Sequence, residues 1–231
     1  MHAGLRQICP GIVLIIKKNL LPLNNHCKLV LWYNYVSVIV RFLKKGCNIN
    51  MSISWKNWNP GLKNDKKTLG EIKATLPGAK QQDISAIVQL LENPGSPIAL
   101  TGAVTLEHHD CIHILLGRGL LNQDEAFVIG YTMGSSKDIS KLEEFIFRTI
   151  ASNLYPRNYR LNSKHLKVYN LALEAGKKSK VKKLYEFPFE KYYDWKLGDL
   201  RKKLGINKKE LKKLYQLERE MLPHTTASKR L

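Results

Sequence analysis

The sequence predicts an all-α protein, a single compact multi-helix domain, and three observations carry that expectation. No stretch alternates polar and apolar residues with a sustained period of two, so no half-buried strand is expected. No Asn-Gly pair marks a hairpin. From Trp55 onward the punctuation is that of helices, with capping residues before apolar-periodic runs and Gly or Pro after them.

The elements follow in order. Residues 66–76 form a short helix that ends at Pro77 and Gly78, and residues 83–92 form another that Asn93, Pro94 and Gly95 stop. Ser96 followed by Pro97 is a helix start, since Ser caps free N–H groups and Pro suits the first helical position. A long helix over 96–116 is therefore expected, with Gly117 and Gly119 ending it. Asn122 caps a helix to about Met133, and Gly134, Ser135 and Ser136 break the chain before a helix over 138–154. A helix over 164–175 ends at Gly176, ahead of a lysine-rich linker. An amphipathic helix over 189–204 closes at Gly205, and a charged helix over 208–221 ends before Pro223. There is no internal repeat.

The formal net charge of +19 suggests nucleic acid until its distribution is read. Residues 1–64 hold nine Lys or Arg and no Asp or Glu, residues 65–163 ten against eleven, and residues 164–231 nineteen against eight. The middle of the chain is neutral and the excess sits on the flanks. No nucleic-acid reader motif accompanies the lysine runs at 177–183 and 202–213, so no specific nucleic acid is expected. The flanks suit an anionic lipid surface or an acidic partner, or are simply a solvated lysine-rich face. The four cysteines, Cys9, Cys27, Cys47 and Cys111, form no CxxC pair. Neither a disulfide framework nor a thiolate zinc site is expected, and a reducing compartment fits best.

Residues 1–50 read as an extension outside the core. Their two apolar patches, 11–16 and 29–40, fall short of the ~20 apolar residues of a spanning helix. Three readings are ranked: a true start at Met51, then a membrane-contacting segment, then a targeting peptide. The domain proper is placed at 55–206, with 207–231 as a basic helical tail.

The chemistry-bearing window is His108-His109-Asp110-Cys111-Ile112-His113, with Glu125 beyond it. On a helix, residues four apart differ by about 6 Å in rise and about 40° in azimuth, so His109 and His113 share a face. Asp110 lies about 100° round from His109 and can still reach the same zone. Eleven residues separate His113 from Glu125, and the glycine-rich turn among them can fold Glu125 back onto the histidines. Two imidazoles with carboxylates suit zinc first, and also iron or manganese. Each residue has an ordinary alternative. The histidines can be polar groups on a helix face, and Asp110 can be solvated. Glu125, three residues after Asn122, has the position of a capping-box glutamate. Arg118 reads as a solvated loop arginine, with contact to an anionic substrate group as the alternative. Local pattern leaves metal binding and these ordinary roles both open.

The whole pattern, His-Asp-x-x-His followed after eleven residues by Glu, is similar to the signature of the Coq-four family of coenzyme Q (ubiquinone) biosynthesis proteins. The Leu115-Leu116-Gly117 end of the motif helix resembles the family's too, as does YYDWKLGDLRKKLGI at 192–206. The resemblance spans roughly residues 60–206, while 1–50 and the tail after Asn207 depart from it. It implies His109, Asp110, His113 and Glu125 as ligands of a divalent metal; the ligand chemistry puts zinc first and Fe2+ or Mn2+ next, and makes Asp110 and Glu125 the candidate catalytic groups, either relaying a proton where it does not ligate. It implies an apolar channel for a prenylated phenolic or quinone lipid and a metal site on one helix pair. The implied activity is removal of the C1 carboxyl from a prenylated 4-hydroxybenzoate, with hydroxylation of that carbon in some accounts, or organisation of the quinone-biosynthesis complex. Implied partners are other quinone-pathway proteins, a second copy of the chain, and a membrane touched peripherally. That membrane is the cytoplasmic face in a bacterium or the matrix side of the inner mitochondrial membrane. Ile112, Phe127, Val128 and Ile129 are candidates to cover the substrate ring, or are ordinary packing. A non-catalytic prenyl-lipid scaffold is the alternative. A metal phosphohydrolase of the HD type is weaker, because no histidine lies between Asn48 and Glu107 to serve as its upstream ligand.

Overall fold

A computed structural model of the chain describes residues 53–77, 93–96, 99–157 and 159–231. Stretch 1–50 and the helix expected over 83–92 lie outside these residues. The architecture is all-α. Its helices are α1 (Leu69–Lys73), α2 (Leu106–Leu116), α3 (Asn122–Ser135), α4 (Lys141–Asn153), α5 (Ser163–Lys178), α6 (Leu197–Leu204) and α7 (Lys208–Met221). Short 3-10 turns at Leu184–Glu186 and Phe189–Tyr192 lead from α5 towards α6, and another at Ser228–Arg230 follows α7. Among the described residues there is no strand beyond one isolated antiparallel bridge, Thr68 with Lys196. No described helix is long and apolar enough to cross a membrane.

Local capping chemistry sets several boundaries. Thr68 and Glu71 form a reciprocal capping box at α1, as Ser140 and Glu143 do at α4. The Asn162 side chain accepts from the Lys164 and His165 N–H groups at α5. The long helix expected over 96–116 is shorter. Gly102 takes φ +91 and packs against Met133, and α2 begins only after Thr105, whose hydroxyl accepts the His108 N–H. A left-handed residue cannot continue a helix, so this break overrides the Ser-Pro start.

Two further expectations give way to tertiary contacts. The helix over 189–204 is interrupted because its backbone is used elsewhere: the Gly70 N–H donates to Tyr193 O (2.8 Å), the Leu69 N–H to Trp195 O (3.0 Å), and the Leu197 N–H to Lys67 O (2.8 Å). Gly176 does not end its helix. It is buried within α5, where an added Cβ would lie 2.5 Å from Tyr131 O of α3. Gly130 and Gly134 of α3 make the same kind of approach, with hypothetical Cβ atoms 2.4 Å from Tyr169 O and 2.2 Å from Leu173 O. These glycines bring α3 and α5 backbone to backbone and fix the axis from which Glu125 projects.

The core gathers Ile112, Leu115 and Leu116 of α2, Phe127 and Val128 of α3, Val168 and Ala172 of α5, and Leu197 and Leu200 of α6. The final helix, α7, buries Leu211, Tyr215 and Glu218 on one face while Lys209, Lys212 and Lys213 stay exposed. Removing these apolar surfaces from water is the main favourable term holding the helices together.

Candidate metal centre

The site starts where α2 ends. The Gly117 N–H donates to Ile114 O (3.1 Å) and the Arg118 N–H to His113 O (2.9 Å), a Schellman closure with Gly117 at φ +66. The chain turns back through Gly119 and enters α3 three residues later, at Asn122. An added Cβ at Gly117 would lie 2.7 Å from Gly61 backbone atoms, and one at Gly119 2.7 Å from Trp58 O. Only glycine fits between this turn and the segment beneath it. On the other side of α2, the buried Arg201 donates from Nε to Leu115 O (2.9 Å) and from Nη2 to Ile114 O (3.1 Å), so the last carbonyls of the helix are satisfied.

The turn places Glu125 against both histidines. His109 Nε2 lies 2.9 Å from Glu125 Oε2, His113 Nε2 lies 3.3 Å from the same oxygen, and the two imidazole nitrogens are 3.0 Å apart. The rings meet at 63° with centroids 4.7 Å apart. His113 is fully buried, whereas His109 and Glu125 keep 17% and 26% of their side-chain surface, so an approach from solvent exists on one side.

The capping role expected for Glu125 falls to its neighbour. The helix starts one residue earlier than the Asn122 signal implies, with Leu121 as N-cap, so Asp124 occupies the third helical position. Asp124 Oδ2 accepts the Leu121 N–H (3.2 Å), and Glu125 is released toward the histidines. A leucine side chain has no acceptor to return, so this is half of a capping box.

Proton accounting makes the cluster informative. His113 Nδ1 lies 2.7 Å from Gly119 O, and a carbonyl only accepts, so Nδ1 carries the hydrogen. In a neutral ring Nε2 then presents a lone pair to the cluster. Burial would raise the Glu125 carboxyl, but His113 and His109 outweigh it and hold the group well below the usual carboxylate range. Glu125 is therefore an anionic acceptor at neutral pH. Two acceptors and a third nitrogen within 3.3 Å of each other need a shared positive charge, which a protonated imidazole or a metal ion supplies. A proton on His109 Nε2 can point straight at one of them, and a cation satisfies all three. A tetrahedral ion with bonds of about 2.05 Å sets its ligand atoms about 3.3 Å apart, and an octahedral one about 2.9 Å apart. The observed triangle spans that range, and its ligand atoms can all address one ion. The bond from Nδ1 to Gly119 O is of the kind metal-ligating histidines commonly make with their other ring nitrogen.

Asp110 is not one of this trio. Among the described residues the group able to share an ion is His109, His113 and Glu125. Asp110 is half-buried on the same helix, where burial pushes its carboxyl up against the pull of both histidines. Ile112, Phe127 and Val128 are fully buried in the core, and Ile129 is half-buried. Phe127 packs edge-on against Tyr215, with the Arg118 guanidinium 4.5 Å from its ring centroid.

Arg118 is not a solvated loop residue. It is fully buried, its Nη1 and Nη2 donate to Glu218 Oε2 and Oε1 (2.9 and 2.7 Å), and its Nε lies 3.0 Å from Asp124 Oδ1. Glu218 and its second partner Gln123 gave no sequence signal, since they sit about a hundred residues apart within ordinary helical text.

No family profile, no characterised protein and no solved structure matches this chain.

Proposed function

We propose that the chain holds one divalent ion on His109, His113 and Glu125 and serves ubiquinone (coenzyme Q) biosynthesis, removing the C1 carboxyl of a prenylated 4-hydroxybenzoate-type lipid. One observation carries the metal reading: the Glu125 carboxylate and two imidazole nitrogens lie within 3.3 Å of one another, with His113 braced on Gly119 O. The choice of pathway rests on the resemblance of this motif to the Coq-four signature. Zinc is the first candidate, and Fe2+ or Mn2+ the next, since a two-histidine, one-carboxylate set admits all three.

A bound ion would supply Lewis-acid attraction for the substrate's carboxylate or phenolate. His109 and His113 hold the nitrogen side of that site, and Glu125 the oxygen side. The bond between ring C1 and the carboxyl carbon breaks, carbon dioxide leaves, and the electron pair stays on C1. A proton must then reach C1, and Asp110, beside the trio and outside it, is the group we assign to deliver it. The prenyl tail partitions into lipid, so we place the work at a membrane surface alongside other quinone-pathway proteins. The apolar channel for that tail belongs to the same proposal.

Elemental analysis of the purified protein beside His109→Ala, with complementation of a quinone-deficient strain, tests the reading. The expected result is one divalent ion per chain in the parent protein, and loss of ion and complementation together in the variant. A variant that keeps both overturns the proposal. Turnover of a carboxylated prenyl-phenol by metal-loaded protein then separates an enzyme from a scaffold.

A further inference from the structure

Glu218, on the last long helix, is the most connected buried carboxylate near the site. Its two oxygens accept from both terminal nitrogens of Arg118, and Oε1 also accepts from Gln123 Nε2 (2.6 Å). Gln123 Nε2 donates in addition to Ser228 Oγ (2.9 Å), so the turn after α7 joins the same network. Arg118 is one residue from Gly119, whose carbonyl orients the His113 ring. Gln123 is two residues from Glu125. Asp124, between Gln123 and Glu125, lies 3.0 Å from Arg118 Nε and caps α3.

One carboxylate of α7 therefore grips the metal turn on both sides, where it leaves the histidine helix and where it enters the glutamate helix. We propose that Glu218 is a positioning residue of the metal centre, acting through Arg118 and Gln123 to hold His113 and Glu125 at ligating separation. This rests on the metal-binding reading above. A merely structural ion pair would tie α7 to one element. This pair instead reaches the two short links whose relative placement sets the distance from His113 Nε2 to Glu125 Oε2. The tail beyond Asn207, which departs from the Coq-four pattern, thereby supplies part of this chain's own site.

The test is titration of the full-length apo protein with Co2+, read by its d–d absorption, beside thermal melting of the same samples. For Glu218→Gln we expect Co2+ affinity to fall roughly tenfold to a hundredfold, as outer-shell changes do, with an altered absorption envelope. Val181→Ala, which opens a cavity beside the far end of α3, where the Lys183 N–H donates to Ser135 O (2.8 Å), controls for lost stability. It should lower the melting temperature and leave Co2+ affinity within about twofold, because distant sites act independently. Wild-type affinity and spectrum in Glu218→Gln overturn the inference, and so does an equal loss of affinity in Val181→Ala. If Glu218→Gln does not fold, Gln123→Met reads the same link with the Arg118–Glu218 pair intact, and unchanged affinity there also overturns it. Failure of the wild-type chain to take up Co2+ is a different result, since it defeats the metal reading itself.

Discussion

Two buried arginines flank the end of α2 and are used in opposite ways. Arg201, from α6, spends its donors on the backbone carbonyls of Ile114 and Leu115 and reaches outward to Asp65, a carboxylate still 44% exposed. Arg118, in the turn, faces two buried carboxylates, Asp124 and Glu218. Burial disfavours the cation in both. At Arg201 it prevails over Asp65 and lowers the pKa, whereas at Arg118 the two carboxylates outweigh it and raise the pKa. The first arginine is a brace for a helix end. The second is the centre of a buried charged network at the turn between α2 and α3. Burial by itself does not say which role a buried cation has; the identity of its acceptors does.

The largest expected effect breaks the Arg118 side. Arg118→Met would leave Asp124 and Glu218 buried without their cation, a loss of about 3–5 kcal/mol by analogy with other broken buried pairs. Denaturant unfolding measures that loss, and metal uptake should fall with it. Unchanged stability would mean that the two carboxylates are protonated or hydrated, and that the contrast with Arg201 is false.

Arg201→Met should cost less, about 1–3 kcal/mol, because it strands two carbonyls and no buried charge. Metal affinity in this variant should stay near the parent value, since its contacts lie on the far side of α2 from the trio. A loss of affinity as large as in Arg118→Met would collapse the distinction between brace and clamp.

The smallest effect concerns Asp65. Burial would raise its carboxyl, but Lys208 and Arg201 outweigh that and hold it below its ordinary value. A lowered folded pKa means the stabilisation is complete above the unfolded value, about 3.9, and fades as pH falls through the folded one. The stability gap between the parent chain and Asp65→Asn should therefore be present at neutral pH and close below about pH 4. Half-exposed pairs are screened, so the gap should stay under about 1 kcal/mol. A gap that persists unchanged at pH 3 would show that the Arg201 side does not depend on this charge.

Much of the fold was legible because capping is local. The bounds of α7 follow from Asn207 before it and Pro223 after it, and the all-α class follows from periodicity. The pairing of His109 with His113 was legible for the same reason, since one helical turn fixes it. The errors were also local in origin. Ser96-Pro97 is a sound start signal, yet Gly102 and Thr105 lie between it and the observed helix. Asn122 is a good cap residue, yet Leu121 is the N-cap and Asn122 the first helical residue, and that shift of one position transfers capping from Glu125 to Asp124.

By itself the sequence determined the helical class, the histidine pair and the turn that could return a carboxylate to it, because each depends on residues within a few positions of one another. Only the tertiary structure decided that Glu125 closes on the histidines while Asp110 stands aside, that Arg118 points inward, and that Glu218 meets it. Those outcomes depend on the angle between α2 and α3 and on a contact across a hundred residues. A buried charge takes whatever opposite charge packing delivers to it, and no spacing along the chain encodes that delivery.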